Sequence, residues 1–169
     1  MRIKEIKAPI YIFKMPDMKE EVLTAIESMG THSIIDKGQQ ISNSDWHLNG
    51  NFVRPYYPII LPHIQDCLSE LDAHLNSDNI EIDNYWVQQY EPSDYHSWHW
   101  HEKTTFSSVY YIELPGKTST TFESMGKEFQ VDVEEGDFLV FPSNLRHQSK
   151  PNNTKHRKTV VALNLNIIN

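Results

Sequence analysis

Residues 96–101 read HSWHWH, and the next histidine along the chain, His147, closes the run GDFLVFPSNLRH at 136–147. Three imidazoles within six residues are a strong concentration for a chain with nine histidines in 169 positions. Neutral imidazole nitrogen is a good ligand for iron, zinc, copper and nickel, so such a cluster points first to a metal. Its competing reading is a stacked surface cluster on a tryptophan-rich strand edge. Trp98 and Trp100 alternate with His99 and so share the opposite face, as a cover or an apolar ledge.

Working outward from the cluster, everything after Asn79 has one grammar. IEIDNYWVQQY, FSSVYYIEL, STTFES, KEFQVDV, GDFLVFP and TVVALNLNII are short runs rich in β-branched and aromatic residues. Polar loops and turns separate them, including Leu114-Pro115-Gly116 and Glu135-Gly136-Asp137. This pattern suits an antiparallel barrel or jelly roll over 80–169. Barrels of this kind hold ligands in their mouths.

The first part, 1–79, reads as support for that core within one domain spanning 1–169. Residues 3–14 read as a strand with Pro9 at an edge or bulge. From Asp17, MKEEVLTAIESMG places Val22, Leu23, Ile26 and Met29 on one helical face and stops at Gly30. Residues 31–56 are polar and irregular, with the position of a lid. A second helix follows from about Ile59 to Leu75, with Ile60, Ile64, Cys67, Leu68, Leu71 and Leu75 at helical spacing. The expected class is therefore mainly β (α+β), with the N-terminal helices packed on one sheet.

Composition excludes several classes. Hydrophobic residues make up 38% and charged residues 22%, a globular balance. The formal net charge of −8, with no block of Lys or Arg, makes nucleic acid an unlikely main partner. No stretch approaches the roughly 18 apolar residues of a membrane span. The single cysteine, Cys67, makes no internal disulfide. A cytoplasmic protein is the resulting expectation.

Residues 90–166 resemble the 2-oxoglutarate/Fe(II)-dependent dioxygenase superfamily, most closely its prolyl-hydroxylase-like branch. Tyr90-Glu91-Pro92 followed by His99-Trp100-His101 is similar to that branch's lead-in to its metal pair. Val109-Tyr110-Tyr111-Ile112 resembles the strand after the first ligands, and Gly136-Asp137-Phe138-Leu139-Val140-Phe141-Pro142 the segment before the last ligand. Ser42-Asn43-Ser44-Asp45-Trp46-His47 is similar to a signature of a short phage and bacterial group, which would place the protein in a host cytoplasm.

The resemblance implies a double-stranded β-helix, a cupin-like jelly roll, over 80–169, and an enzyme with Fe(II) on His99, His101 and His147 and with O2 and 2-oxoglutarate as cosubstrates. An unidentified small molecule or peptide would be hydroxylated, with release of succinate and CO2. It also implies a cosubstrate site in which Arg157, ten residues past His147, grips the distal carboxylate. Tyr111, Thr159 and Tyr90 would assist. Trp86, Val109, Phe141, Val161 and Leu163 are expected to line the site. One departure stands out: His101 occupies a position where most of the superfamily has Asp or Glu. His96 or Asp94 could serve as a ligand instead if the loop folds back, and the native metal stays open. Two alternatives share the fold: a cupin-like metal enzyme without 2-oxoglutarate, and a non-enzymatic binding module stapled by metal. Asn164 and Asn166 are unusual in an otherwise apolar final strand. Counted from Arg157, Asn164 falls on the opposite face, so it receives no role.

Overall fold

The computed structural model describes residues 8–36, 39–48 and 52–168. In chain order, β1 (Tyr11–Lys14) leads to α1 (Lys19–Met29), then to the antiparallel strands β2 (His32–Asp36) and β3 (Gln39–Ser44), and to α2 (Tyr57–Leu75). The remaining strands are β4 (Asn79–Tyr90), β5 (His96–His99), β6 (Phe106–Glu113), β7 (Thr121–Ser124), β8 (Lys127–Gln130), β9 (Asp137–Pro142), β10 (His147–Ser149) and β11 (Lys158–Ile168). They form two antiparallel sheets. The larger has the order β1-β9-β6-β11-β4-β3-β2 and the smaller β5-β10-β7-β8. This is the double-stranded β-helix read from the chain.

Two cores hold these layers together. Val22, Leu23 and Ile26 of α1 and Ile60, Ile64 and Leu71 of α2 pack with Val87, Tyr110, Val161 and Leu163 of the large sheet. Burial of such side chains stabilises by about 1.5–3 kcal/mol each. A second core lies between the sheets and joins Tyr111, Leu139, Phe141 and Val160 to Phe122. Each central strand therefore has two buried faces, and alternation decides which core a residue enters. On β11, Val161, Leu163 and Leu165 face the helices. Val160 faces the small sheet, and Lys158 and Ala162 line the cavity there with it.

Some local expectations shift. The N-terminal strand is shorter than 3–14. Residues 8–10 precede it, and 1–7 lie outside the described residues. Pro9 thus sits just before the ladder, where its missing N–H costs nothing. The helix near Asp17 begins at Lys19 and ends where the Gly30 N–H bonds Ile26 O, with Gly30 at φ 78. Residues 31–56 are irregular only in part: β2 and β3 extend the large sheet beyond β4, while the described residues 45–48 and 52–56 form turns and bends. Their inward residues include Ser42 and Ser44, both fully buried. Ser44 Oγ donates to Val87 O at 2.7 Å. Buried hydroxyls replace the apolar alternation that would otherwise announce a strand. The run 127–133 is a strand only to Gln130, after which Val133 turns into the inter-sheet core.

Candidate metal centre

Strand pairing brings the distant histidines together. β5 and β10 are antiparallel neighbours, with His99 opposite His147. The chain leaves β5 and His101 N–H bonds Ser143 O at 3.0 Å, which pins the third ring beside the first two. One ligand nitrogen from each of His99, His101 and His147 lies within 4.8 Å of the others.

Hydrogen bonds set the tautomers. His99 Nδ1 lies 2.7 Å from Ser97 O, and His147 Nδ1 lies 2.8 Å from Leu145 O. A carbonyl oxygen only accepts, so each Nδ1 carries the proton and each Nε2 keeps its lone pair. His101 Nδ1 lies 2.7 Å from Asn164 Oδ1, which assigns its tautomer the same way. Metal-binding histidines characteristically donate their second ring N–H to such an acceptor. Burial holds all three rings neutral by lowering their pKa values, that of His147 to about 3. Three neutral donors with free Nε2 atoms fit a divalent first-row metal.

The alternative ligands stand apart. His96 stacks on His99 with ring centroids 3.9 Å apart and lines the same cavity, outside the convergent trio. The Asp94 carboxylate accepts Glu91 N at 3.0 Å and Gln40 Nε2 at 3.2 Å, so it closes a turn and ties β3 to it. Glu102 is exposed.

The cavity under the histidines ends on Lys158, which is 3% exposed. Its Nζ donates to Thr118 O at 2.6 Å and Ser149 Oγ at 3.0 Å, and sits 5.2 Å from the centre of the Tyr90 ring. Among the described residues no ion pair includes it. Burial drives its pKa down to about 7.

Arg157 points elsewhere. Its guanidinium meets Glu113 (Nε to Oε2, 2.9 Å) and Glu27 of α1 (3.5 Å), on the helix side of the sheet. Thr159 is buried on that same side and donates to Glu113 Oε2. Tyr111 is in the inter-sheet core, its hydroxyl 2.7 Å from Thr120 Oγ1, and it reaches the cavity only through that threonine. Tyr90 does line the cavity, with its hydroxyl donating to Gln88 Oε1 at 2.7 Å. Of the expected lining, Trp86 and Val109 face the cavity, and Phe141 packs edge-on against His147 at 4.8 Å. Val161 and Leu163 belong to the helix-side core. Arg157, Thr159, Val161 and Leu163 depart from the expected placement together, because the cavity face of β11 carries the even positions.

The family model for Phytanoyl-CoA dioxygenase (PhyH) matches residues 86–160. No curated protein matches the chain. Solved structures do. A viral collagen prolyl hydroxylase from Paramecium Bursaria Chlorella virus-1, in complex with 2OG, superposes with TM-score 0.65 at 12% identity, covering 95% of this chain and 96% of that one. A Pseudomonas putida prolyl-4-hydroxylase gives 0.66 at 13%, covering 95% and 93%. The chain therefore has the fold of these oxygenase structures. The epimerase SnoN, in complex with Fe3+, alpha ketoglutarate and nogalamycin RO, shares this oxygenase fold with TM-score 0.69 at 10% identity, covering 94% and 78%.

Within this oxygenase fold, two residues of the site escaped sequence reasoning. Lys158 was hidden behind an arginine at the expected offset. Asn164 was assigned to the wrong face because the count began at Arg157. The available signal was a Lys at the opening of a largely apolar strand, with Asn164 an even number of positions later.

Proposed function

We propose that the protein is an Fe(II)- and 2-oxoglutarate-dependent oxygenase that hydroxylates its substrate. The metal binds Nε2 of His99, His101 and His147, and Lys158 binds the distal carboxylate of the cosubstrate. The observation that carries this reading is the lysine amine, buried with no acidic partner among the described residues, in the same cavity as three convergent imidazoles. An isolated ammonium in an apolar interior is costly, and a dicarboxylate entering from the metal side supplies its counter-charge. Ser149 Oγ and Thr118 O fix the amine's direction beforehand, so little ordering remains for the ligand.

Charge balance supports the same assignment. Three neutral imidazoles leave the full charge of a divalent ion uncompensated, and with the Lys158 ammonium the site carries three positive charges, two of which dianionic 2-oxoglutarate offsets. When bound, Fe(II) supplies the one-electron chemistry by which O2 and 2-oxoglutarate are consumed and a substrate C–H bond is hydroxylated, with succinate and CO2 released. The chain's own residues orient and shield. Trp86, Val109 and Val160 limit water at the centre, and Tyr90 packs its ring against the anchoring amine. A cupin-like enzyme without the cosubstrate has no use for a buried amine here.

The test is calorimetric titration of anaerobic Fe(II)-loaded protein with 2-oxoglutarate. Binding is expected in the wild type and lost in Lys158→Met, with metal content unchanged. Equal affinity in that variant would remove the cosubstrate from the assignment.

A further inference from the structure

A second groove opens beside the histidine cavity. The two share Trp86, Gln88, His96, His99 and His101, so whatever lies in the groove lies next to the proposed metal. Its outer walls come from different parts of the fold. Ile34 on β2, Ile41 on β3 and Trp46 just beyond β3 form one part, and Trp100 after β5 another. Trp46 and Trp100 are each more than half exposed, at 54% and 55%. Trp46 is also held edge-on against Trp86, with ring centroids 4.6 Å apart. Large indoles left in solvent at the rim of a cavity are surface that a ligand covers.

The groove differs in chemistry from the cavity behind it. The inner cavity ends on a buried amine and hydroxyls. Among the described residues, no Asp, Glu, Lys or Arg lines the groove. A charged group seated there would lose water without gaining a counter-ion. Besides the histidine rings, the indole N–H groups and the Ser44 hydroxyl, which donates to Val87 O, the polar groups of the lining are the side-chain amides of Gln88 and Asn164. Gln88 Oε1 already accepts from Tyr90, and Asn164 Oδ1 from His101. Their NH2 groups are the donors on offer, and they call for an acceptor oxygen on the ligand. The groove's cavity volume is about 290 Å³, at the lower edge of the range of small-molecule pockets.

We propose that this groove is the substrate seat and that it takes an uncharged small molecule built on a flat apolar ring, with a hydroxyl or carbonyl oxygen beside the reacting carbon. The proposal rests on the oxygenase reading for what happens to the molecule, but its binding claim is separable from it. Trp46 and Trp100 contact the ring faces or edges, and Gln88 and Asn164 meet the oxygen. The inner cavity remains free for the dicarboxylate.

The test uses full-length protein loaded with Zn(II) as a redox-inert metal and saturated with 2-oxoglutarate, so that anionic probes are kept from Lys158. Calorimetry is run with 2-naphthol, with the anion 2-naphthoate, with the cation 2-naphthylmethylammonium, and with a blocked proline tripeptide. The neutral naphthol is expected to bind, and both charged analogues at least about tenfold more weakly. Trp46→Ala and Trp100→Ala are each expected to weaken naphthol by about threefold to tenfold, and Trp46→Phe to restore most of the loss. Unchanged thermal unfolding shows that the variants fold. Absent naphthol binding, equal binding of a charged analogue, indifference to both tryptophan variants, or preference for the proline peptide would each overturn the proposal. Failure of 2-oxoglutarate to bind, measured separately before any naphthol is added, would strike the oxygenase assignment and leave the naphthol result intact.

Discussion

His101 and Asn164 are 63 positions apart in the chain, yet His101 Nδ1 and Asn164 Oδ1 lie 2.7 Å apart. Of the three acceptors that set the ring tautomers, the other two are backbone carbonyls. Asn164 is therefore the one that mutation can remove. Loss of such a partner typically costs 10–100-fold in metal affinity. Asn164→Leu is expected to weaken metal binding by about that factor in chelator competition, and Asn164→Asp to hold or tighten it. Unchanged affinity in the leucine variant would show that His101 is not a ligand or needs no orientation.

His101→Asp is expected to retain or improve Fe(II) binding. The Asn164 amide can turn about its last torsion and donate to the new carboxylate, and the added negative charge favours a divalent ion. The same chelator competition checks it, and a loss greater than about tenfold would argue that the carboxylate falls short of the ion.

Lys158 makes the stability of metal-free, cosubstrate-free protein depend on pH in a definite direction. Its pKa is about 7 in the fold against 10.5 for the ordinary side chain. Between those values the unfolded chain binds a proton that the native state does not. Unfolding free energy from this group therefore rises as pH goes from about 7 to 10.5, and the penalty is fully present below 7. Chemical denaturation across that range should show a positive slope that disappears in Lys158→Met, and the variant should be the more stable protein near pH 7.

The same proton governs the cosubstrate. Above about pH 7 the amine must take up a proton to hold a carboxylate. Affinity for 2-oxoglutarate is expected to fall by up to about tenfold per pH unit above that point and to be nearly flat below it. Titrations in buffers of different ionisation enthalpy would report the proton uptake directly.

Arg157→Ala is expected to leave metal and 2-oxoglutarate binding intact and to cost about 1–2 kcal/mol of stability, measured by denaturant unfolding. Its pair with Glu113 is only partly buried, and the Glu113 carboxylate keeps the Thr159 hydroxyl. A variant that folds normally and loses the cosubstrate would return the anchor to Arg157.

Much of this protein was legible without coordinates. The apolar faces of α1 and α2 and the switch to short β-branched runs after Asn79 are local, periodic signals, and burial on one face of an element produces them directly. The histidine cluster was legible because a metal site needs several ligands of one chemical kind. β2 and β3 were not, since Ser42 and Ser44 fill inward positions with hydroxyls. The cavity face of β11 was also beyond reach. Arg157 and Lys158 are adjacent cations that point to opposite sides of one sheet, and both sides of that sheet are buried. Alternation alone says only that they differ. Which one meets the histidines depends on the register of β11 between β4 and β6, with its irregularity between Thr159 and Val160. That register is set by packing against helices on one side and the small sheet on the other, a choice made only when the layers assemble.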